Sequence, residues 1–421
     1  MKVSFIYLPH PFLKQPDAQA PLGLLYLATV ARRRHSVNVL NLSSKTVKDS
    51  IECLEYADIF GITATCLEVP QANEFAKLIK EKFEGSKVII GGPGTIAGEY
   101  INFKYVDSIC RGEAEGILKE ILSDAEKNDL KKIYIGKPGS IENIEPSRDM
   151  LDFQGGNIFA FNKQHRNGQS TILSTSRGCP YNCAYCAAPN LGYGKVRYRS
   201  PKSVAAEVKG VIKDFGITQF RISDDMFTSS RKRVFEICDE LGSLDIAWRI
   251  STRVKPADEE LFRAMYDAGC VEVSFGVESF DDDVLKILNK NTTAKDNINA
   301  LEVANKVGMT TRVLFMIRTP GQNKQTVARN IHWLERVPYD IICCTTFVPL
   351  PGSDIWASPR DYGIDIIDRN LSHYNFYFFD ANGEVELNDV ISFRDRDTSE
   401  VNAETAYFKE YLKSTGKLNK G

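Results

Sequence analysis

In the first third of the chain, short apolar runs of strand length alternate with longer stretches of helical period. Val3–Leu8, Val37–Leu42, Ile59–Thr65, Val88–Gly92 and Ser108–Arg111 are the apolar runs. Between them, Leu22–Arg33 puts Leu24, Leu25, Leu27, Ala28 and Val30 on one broad apolar face, and Glu68–Phe83 forms a second helical stretch. Strand and helix in alternation predict an α/β domain with a doubly wound parallel sheet, whose ligands sit at the carboxyl ends of the strands. Two of those ends are distinctive. Thr63 and Thr65 place small hydroxyl side chains where the third strand stops. Gly91-Gly92 has no side chains, so a large flat ligand can approach the backbone, although Gly-Gly is also an ordinary turn feature.

Glu126–Asp152 is charged, carries Pro138-Gly139, Pro146 and several Asn, and reads as a connector. Beyond it, six strand candidates follow: Thr171–Ser176, Gln219–Asp224, Ala247–Arg253, Val271–Glu278, Thr310–Ile317 and Ile341–Phe347. All but the last lead into a helical pattern. One of these helices opens on Ser200-Pro201 as N-cap and first turn, then carries Val204, Val208, Val211, Ile212 and Phe215 as an apolar stripe. Repeated strand–helix units predict a second parallel sheet.

Within these strands polar and apolar residues take opposite parity, and successive side chains face opposite sides of a sheet. Arg221, Ser223 and Asp225 alternate with Phe220 and Ile222; Arg249, Ser251 and Arg253 with Trp248 and Ile250; Arg312, Met316 and Arg318 with Val313, Phe315 and Ile317. The apolar parity predicts a face under outer helices and the polar parity a lined interior. Buried charges need partners. Arg221, Glu272 and Arg312, at the strand starts, read as structural ion pairs. Asp225, Arg253, Glu278 and Arg318, at the strand ends, lie where barrel active sites form, with structural pairing as the other reading.

Composition narrows the class. The 421 residues suggest two or three domains. A net charge of −2 leaves no electrostatic footprint for nucleic acid. No apolar stretch approaches a membrane span, and Val3–Leu8 reads as a strand rather than a leader core. Ten cysteines without such a leader predict a reducing compartment, the cytoplasm. Seven of them are scattered among apolar neighbours and read as small core hydrophobes.

The other three are chemical candidates. Cys179, Cys183 and Cys186 follow one another at offsets of four and three in Ser176-Arg177-Gly178-Cys179-Pro180-Tyr181-Asn182-Cys183-Ala184-Tyr185-Cys186. Three thiolates on one loop can hold three irons of a 4Fe–4S cluster and leave the fourth open. Zinc, the alternative, wants four ligands, and no second Cys or His pair lies nearby.

This loop, with an aromatic before the third cysteine, resembles the radical S-adenosylmethionine (SAM) superfamily. The resemblance implies a partial (β/α)6 barrel, a 4Fe–4S cluster on the three cysteines, and SAM chelated to the open iron and cleaved to a 5′-deoxyadenosyl radical. It places Asp224-Asp225 at the SAM amino group, with strand parity favouring Asp225. Gly276-Val277-Glu278-Ser279 falls at the ribose, Tyr185 near the adenine, and Thr319-Pro320-Gly321 and Val348-Pro349-Leu350-Pro351-Gly352 beside it. Ser251 is a further candidate on the lined parity.

Pro21-Leu22-Gly23-Leu24-Leu25-Tyr26-Leu27, Gly91-Gly92-Pro93 and Arg111-Gly112-Glu113-Ala114-Glu115 resemble the cobalamin-binding domain of one radical SAM subclass. The Asp-x-His-x-x-Gly motif for a lower cobalt ligand is absent, and the nearest histidine, His10, lacks that context. Cobalamin bound without a histidine, and a domain that binds nothing, both remain open.

The expected organisation is a cobalamin-binding-like domain over residues 1–128, a linker over 129–165, a barrel over 166–357 and a C-terminal cap over 358–421. The aromatic run from His373 reads either as a closure of the open barrel or as a substrate cap with His373 or Tyr374 as proton donor. The leading function is a cobalamin-dependent methyltransferase acting at an unactivated carbon of a small molecule. That substrate would be anionic if Arg253 and Arg318 meet it rather than the SAM carboxylate. Dehydration, epimerisation, cyclisation or ring contraction without methyl donation is the alternative, and a non-enzymatic sensor the remote one. The resemblance also implies a flavodoxin- or ferredoxin-type electron donor.

Overall fold

The structure, a computed structural model, describes the chain except residues 11, 12, 14, 143, 153, 154, 156–168, 192–194, 376, 381, 382, 386 and 419–421. The boundary expected at residue 165 and Phe376 of the aromatic run lie outside the described residues. The chain divides into two compact units, Met1–Gly156 with Asn190–Gly194, and Asn157–Pro189 with Lys195–Gly421.

The first unit is built on a parallel sheet of β1 (Lys2–Tyr7), β2 (Ser36–Asn41), β3 (Ile59–Thr63), β4 (Lys87–Gly91), β5 (Ser108–Gly112) and β6 (Ile133–Gly136), in the order β2-β1-β3-β4-β5-β6. The order reverses between β1 and β3, which opens the crevice that ligands use in doubly wound sheets. Both faces are covered. Helix Val69–Lys82 brings Val69, Phe75 and Ile79 against Ile62, Val88 and Ile90. Helices Leu22–Ala31 and Leu118–Glu126 pack Leu24, Leu25, Ile121 and Leu122 against Val3 and Phe5 on the other face.

The expected connector needs correction, because β6 lies inside it and pairs with β5 from Ile109↔Ile133 to Gly112↔Gly136. Ile133 and Ile135 are 43 % and 61 % exposed while Tyr134 is buried. Four residues with one large buried side chain, set among lysines and prolines, are too few to show a strand period.

The second unit holds a six-stranded parallel sheet, β7 (Ser170–Leu173), β8 (Gln219–Ile222), β9 (Ala247–Arg253), β10 (Cys270–Glu278), β11 (Thr310–Ile317) and β12 (Ile341–Thr346), paired in chain order and open between β7 and β12. Helices Pro201–Phe215, Arg231–Leu241, Glu259–Asp267, Ala294–Val307 and Lys324–Leu334 alternate with the strands. The first starts as its sequence predicts, with Ser200 Oγ accepting from the Ser203 N–H and Pro201 in the first turn. Phe220, Trp248, Ile250, Val273, Phe275, Val313, Phe315 and Ile317, the apolar parity, are all buried in one core with the outer helices. On the other parity Glu272, fully buried, accepts from Arg249 Nη1 at 2.9 Å and lies 3.0 Å from Arg312 Nη2. Burial lowers the Arg249 pKa, and the adjacent Arg312 adds to that.

The alternation stops at two strand ends. Glu278 and Arg318 have φ of 63° and 60°, and the β10–β11 register shifts between Gly276 and Glu278. After β12 the chain forms a short antiparallel pair, Ile364–Ile366 with Ile391–Phe393, then helix Thr398–Ser414, whose Phe408 stacks on Phe315. Tyr377 and Leu418 bridge to Thr345 and Ile342 and so cover the β12 edge. Among the described residues, no helix is long and apolar enough to cross a membrane.

Candidate active site

The cysteine loop leaves β7 through a two-residue strand, Ser176–Arg177, and turns at Gly178, whose φ is 97°. It is tied down by its backbone. The Cys186 N–H donates to the Cys183 carbonyl, the Ala184 N–H to the Leu288 carbonyl, and the Ala184 carbonyl accepts from the Ile355 N–H. Asn289 Nδ2 donates to the Asn182 carbonyl at 2.6 Å. Cys183 is buried; Cys179 and Cys186 are half-buried. Burial pushes the Cys179 and Cys186 thiols up, and each also feels its neighbouring cysteines; a bound cation reverses that balance by deprotonating the thiol.

Among the described residues, no three His, Cys, Asp or Glu side chains converge on a single-ion site. A four-iron cluster instead takes one thiolate per iron, and three thiols on a pinned loop fit that donor set.

Two side chains reach the loop from strand ends. Arg253, the last residue of β9, donates from Nη1 to Cys183 Sγ at 3.0 Å, and its guanidinium lies 3.9 Å from the Tyr181 ring centre. Glu278, ending β10, accepts from Tyr185 Oη at 2.9 Å and from Lys290 Nζ at 2.8 Å, while Lys290 also donates to Tyr185 Oη at 3.0 Å. Gly276 makes room for this pair, since a Cβ there would lie 2.8 Å from both Glu278 Oε1 and Lys290 Nζ. Burial, reinforced by the Glu278 carboxylate, keeps the Tyr185 phenol protonated well above its usual value.

The two adjacent aspartates diverge. Asp224 is buried and accepts from Thr175 N–H, Thr175 Oγ1 and Ser176 Oγ at 2.5–2.7 Å, so it braces the strand that leads into the loop. Asp225 is exposed and accepts from the Gly178 N–H at 3.1 Å. Crowding by surrounding protein atoms, then Asp224, raises its pKa. Ser251 is half-buried beside Ser274.

Four candidates are committed elsewhere. Ser279 is buried, and its Oγ hydrogen-bonds Asn330 Oδ1 at 3.2 Å. Arg318 donates to Asp389 Oδ1 at 2.6 Å, because its left-handed backbone ends the β11 alternation and turns the side chain toward the C-terminal segment. His373 is exposed, with Nδ1 2.6 Å from Asp368 Oδ2, and Tyr374 donates to the Asp368 carbonyl. Sequence reasoning missed Tyr181 and Lys290. Tyr181 stood inside the quoted loop, and Lys290 lies between Asn289 and Asn291, both at positive φ, a local sign of a constrained turn.

In the first unit, Thr63 and Gly91 end β3 and β4. A Cβ on Gly91 would meet only the Cys110 carbonyl, at 4.0 Å, so the backbone there is open. Gly92, with φ 85°, is needed sterically: its Cβ would lie 2.6 Å from Thr63 Oγ1. Thr65 caps the following turn in a reciprocal pair with Glu68. A cavity of about 140 Å³ is lined by Gly92, Pro93, Thr95, Arg111 and Gly112, with Asn190 among its other walls. Bare backbone at strand ends fits the edge of a flat macrocycle. His10 is buried, with Nε2 3.3 Å from Glu68 Oε1.

Residues 173–334 match the radical SAM superfamily and residues 17–122 the B12 binding domain. An uncharacterized methyltransferase of Pyrococcus horikoshii, PH0819, is 30 % identical over 80 % of this chain and 77 % of its own. An anaerobic magnesium-protoporphyrin IX monomethyl ester cyclase of Rubrivivax gelatinosus is 25 % identical over 89 % of this chain and 72 % of its own. Among solved structures, the radical SAM methyltransferase TsrM of Kitasatospora setae, with cobalamin and a [4Fe-4S] cluster bound, superposes with a TM-score of 0.71 at 16 % identity, covering 100 % of this chain and 91 % of that one. The chain belongs to the radical SAM superfamily and is an enzyme of the subclass that joins a B12-binding domain to the radical SAM domain.

Proposed function

We propose that the protein is a cobalamin-dependent radical SAM methyltransferase acting on a carbon of a small molecule. The observation that carries this reading is the pinned loop of Cys179, Cys183 and Cys186, flanked by Arg253 and by Tyr185 on Glu278, in a chain that also has a B12-binding domain. When bound, the 4Fe–4S cluster supplies the electron that cleaves SAM to a 5′-deoxyadenosyl radical, and cobalamin supplies the methyl group. The protein's own part is to hold and orient. Asp225 offers a carboxylate to the SAM amino group. Tyr185 and Glu278 offer an aromatic face and an acceptor to its adenosine, with Lys290 balancing the Glu278 charge. Gly91 and the walls around Gly92 and Arg111 receive the cobalamin. For an anionic substrate group, Arg318, which is paired with Asp389, and Lys409 are the cations lining a cavity of about 480 Å³, whose walls also carry Glu384 and Glu410. A flavodoxin- or ferredoxin-type protein is the electron donor.

The test is anaerobic reconstitution with iron, sulfide and hydroxocobalamin, followed by desalting, spectroscopy and reduction in the presence of SAM. About four irons and one cobalamin per chain, with deoxyadenosine formed, are expected. A chain that takes up no cluster overturns the reading. The cyclase relative, which spans 89 % of this chain, favours a second outcome. With the true substrate, deoxyadenosine without S-adenosylhomocysteine would select it over methyl transfer.

A further inference from the structure

Arg253 ends β9 with a side chain that is only 6 % exposed. A buried guanidinium is costly unless negative charge compensates it, and arginine does not escape by losing its proton. Among the described residues no carboxylate pairs with it, and its Nε is buried without a hydrogen-bond partner. Among those residues it makes one hydrogen bond, to Cys183 Sγ at 3.0 Å, and its planar face lies on Tyr181 of the same loop. A permanent cation aimed at sulfur is matched to a sulfur that carries negative charge, as a cluster-bound thiolate does. Hydrogen bonds to the sulfurs are among the terms that set the reduction potential of an iron–sulfur cluster.

We propose that Arg253 is a positioning residue that holds the Cys183 sulfur on its iron and, by donating a charge-assisted hydrogen bond to it, makes the cluster easier to reduce. The donated hydrogen bond draws electron density off the thiolate, so the added electron of the reduced state is better stabilised. Tyr181 keeps the guanidinium plane from swinging away. This assignment rests on the cluster reading above.

The test uses the full chain, reconstituted without oxygen and labelled with nitrogen-15 in arginine only. In the reduced protein, pulsed electron paramagnetic resonance is expected to show a nitrogen-15 coupling to the cluster in the wild type and none in Arg253→Lys. Potentiometric titration of Arg253→Gln is expected to show at least a tenfold lower reduced-to-oxidised ratio at fixed potential, which is about 59 mV for a one-electron couple. Arg253→Lys, which keeps the charge, shifts less. A loaded wild type without an arginine coupling overturns the assignment while leaving the proposed function standing, and so does Arg253→Gln at the wild-type potential. If Arg253→Gln fails to load iron, the labelled wild type alone decides. A wild type that takes up no cluster overturns both.

Discussion

Lys290, 4 % exposed, shows how much of the site rests on single side chains. It neutralises Glu278 and hydrogen-bonds Tyr185, so one ammonium joins β10 to the cysteine loop. Lys290→Met leaves the buried Glu278 with Tyr185 but without its cation, which costs about 3–5 kcal/mol; the urea midpoint of the reconstituted protein is expected to fall accordingly. An unchanged midpoint would show that solvent reaches the carboxylate. His10 gives a pH dependence. Burial lowers its pKa below 6.5 against the opposing effect of Glu68. Below pH 6.5 the unfolded chain therefore binds a proton that the folded chain does not, so this contribution to stability is complete above 6.5 and is lost as pH falls. His35 is shifted the same way, chiefly by burial. Urea midpoints followed by circular dichroism from pH 7.5 to 5.5 are expected to decline, and to decline less in His10→Gln.

At the scale of elements, strand ends decide what the site contains. Asp224 and Asp225 are neighbours in sequence, but the end of β8 turns one onto Thr175 and Ser176 and leaves the other beside Gly178. Asp224→Asn removes the charge from three hydrogen bonds and is expected to destabilise the protein by about 2–3 kcal/mol and to lower iron content. Asp225→Asn is expected to keep its iron and weaken SAM binding about tenfold, the effect of roughly 1.4 kcal/mol. Equal iron loss in the two variants would show that Asp225 too is structural. The end of β4 is equally constrained. Gly92→Ala forces a Cβ to 2.6 Å from Thr63 Oγ1 at a φ of 85°. Cobalamin retained after desalting is expected to fall severalfold, while iron content, held in the other unit, stays at the wild-type level.

For the whole molecule, the two units predict separable linkage. Hydroxocobalamin at about a hundred times its Kd adds about 2.7 kcal/mol to whatever binds it. Hydrogen exchange is expected to slow in β1, β3 and β4 and to stay unchanged in β9–β11. Slowing only in β9–β11 would place the ligand elsewhere. Much of this organisation was legible in the chain. Short apolar runs alternating with helical stripes determined two parallel sheets, since a strand covered by helices needs that period, and opposite parity assigned Phe220, Trp248, Val313 and Phe315 to the outer core. The cysteine offsets determined the cluster loop, because three thiols within eight residues share one loop whatever the rest of the chain does. Three things waited for the tertiary structure. Strand β6 carried too few buried residues to show a period. Arg318 left the lined parity because its backbone turns left-handed where β11 stops, and no pattern extends past such a turn. The partners of Arg253 and Lys290 lie 70 and 105 residues away in Cys183 and Tyr185, and a contact at that separation exists only once the sheet has closed the distance.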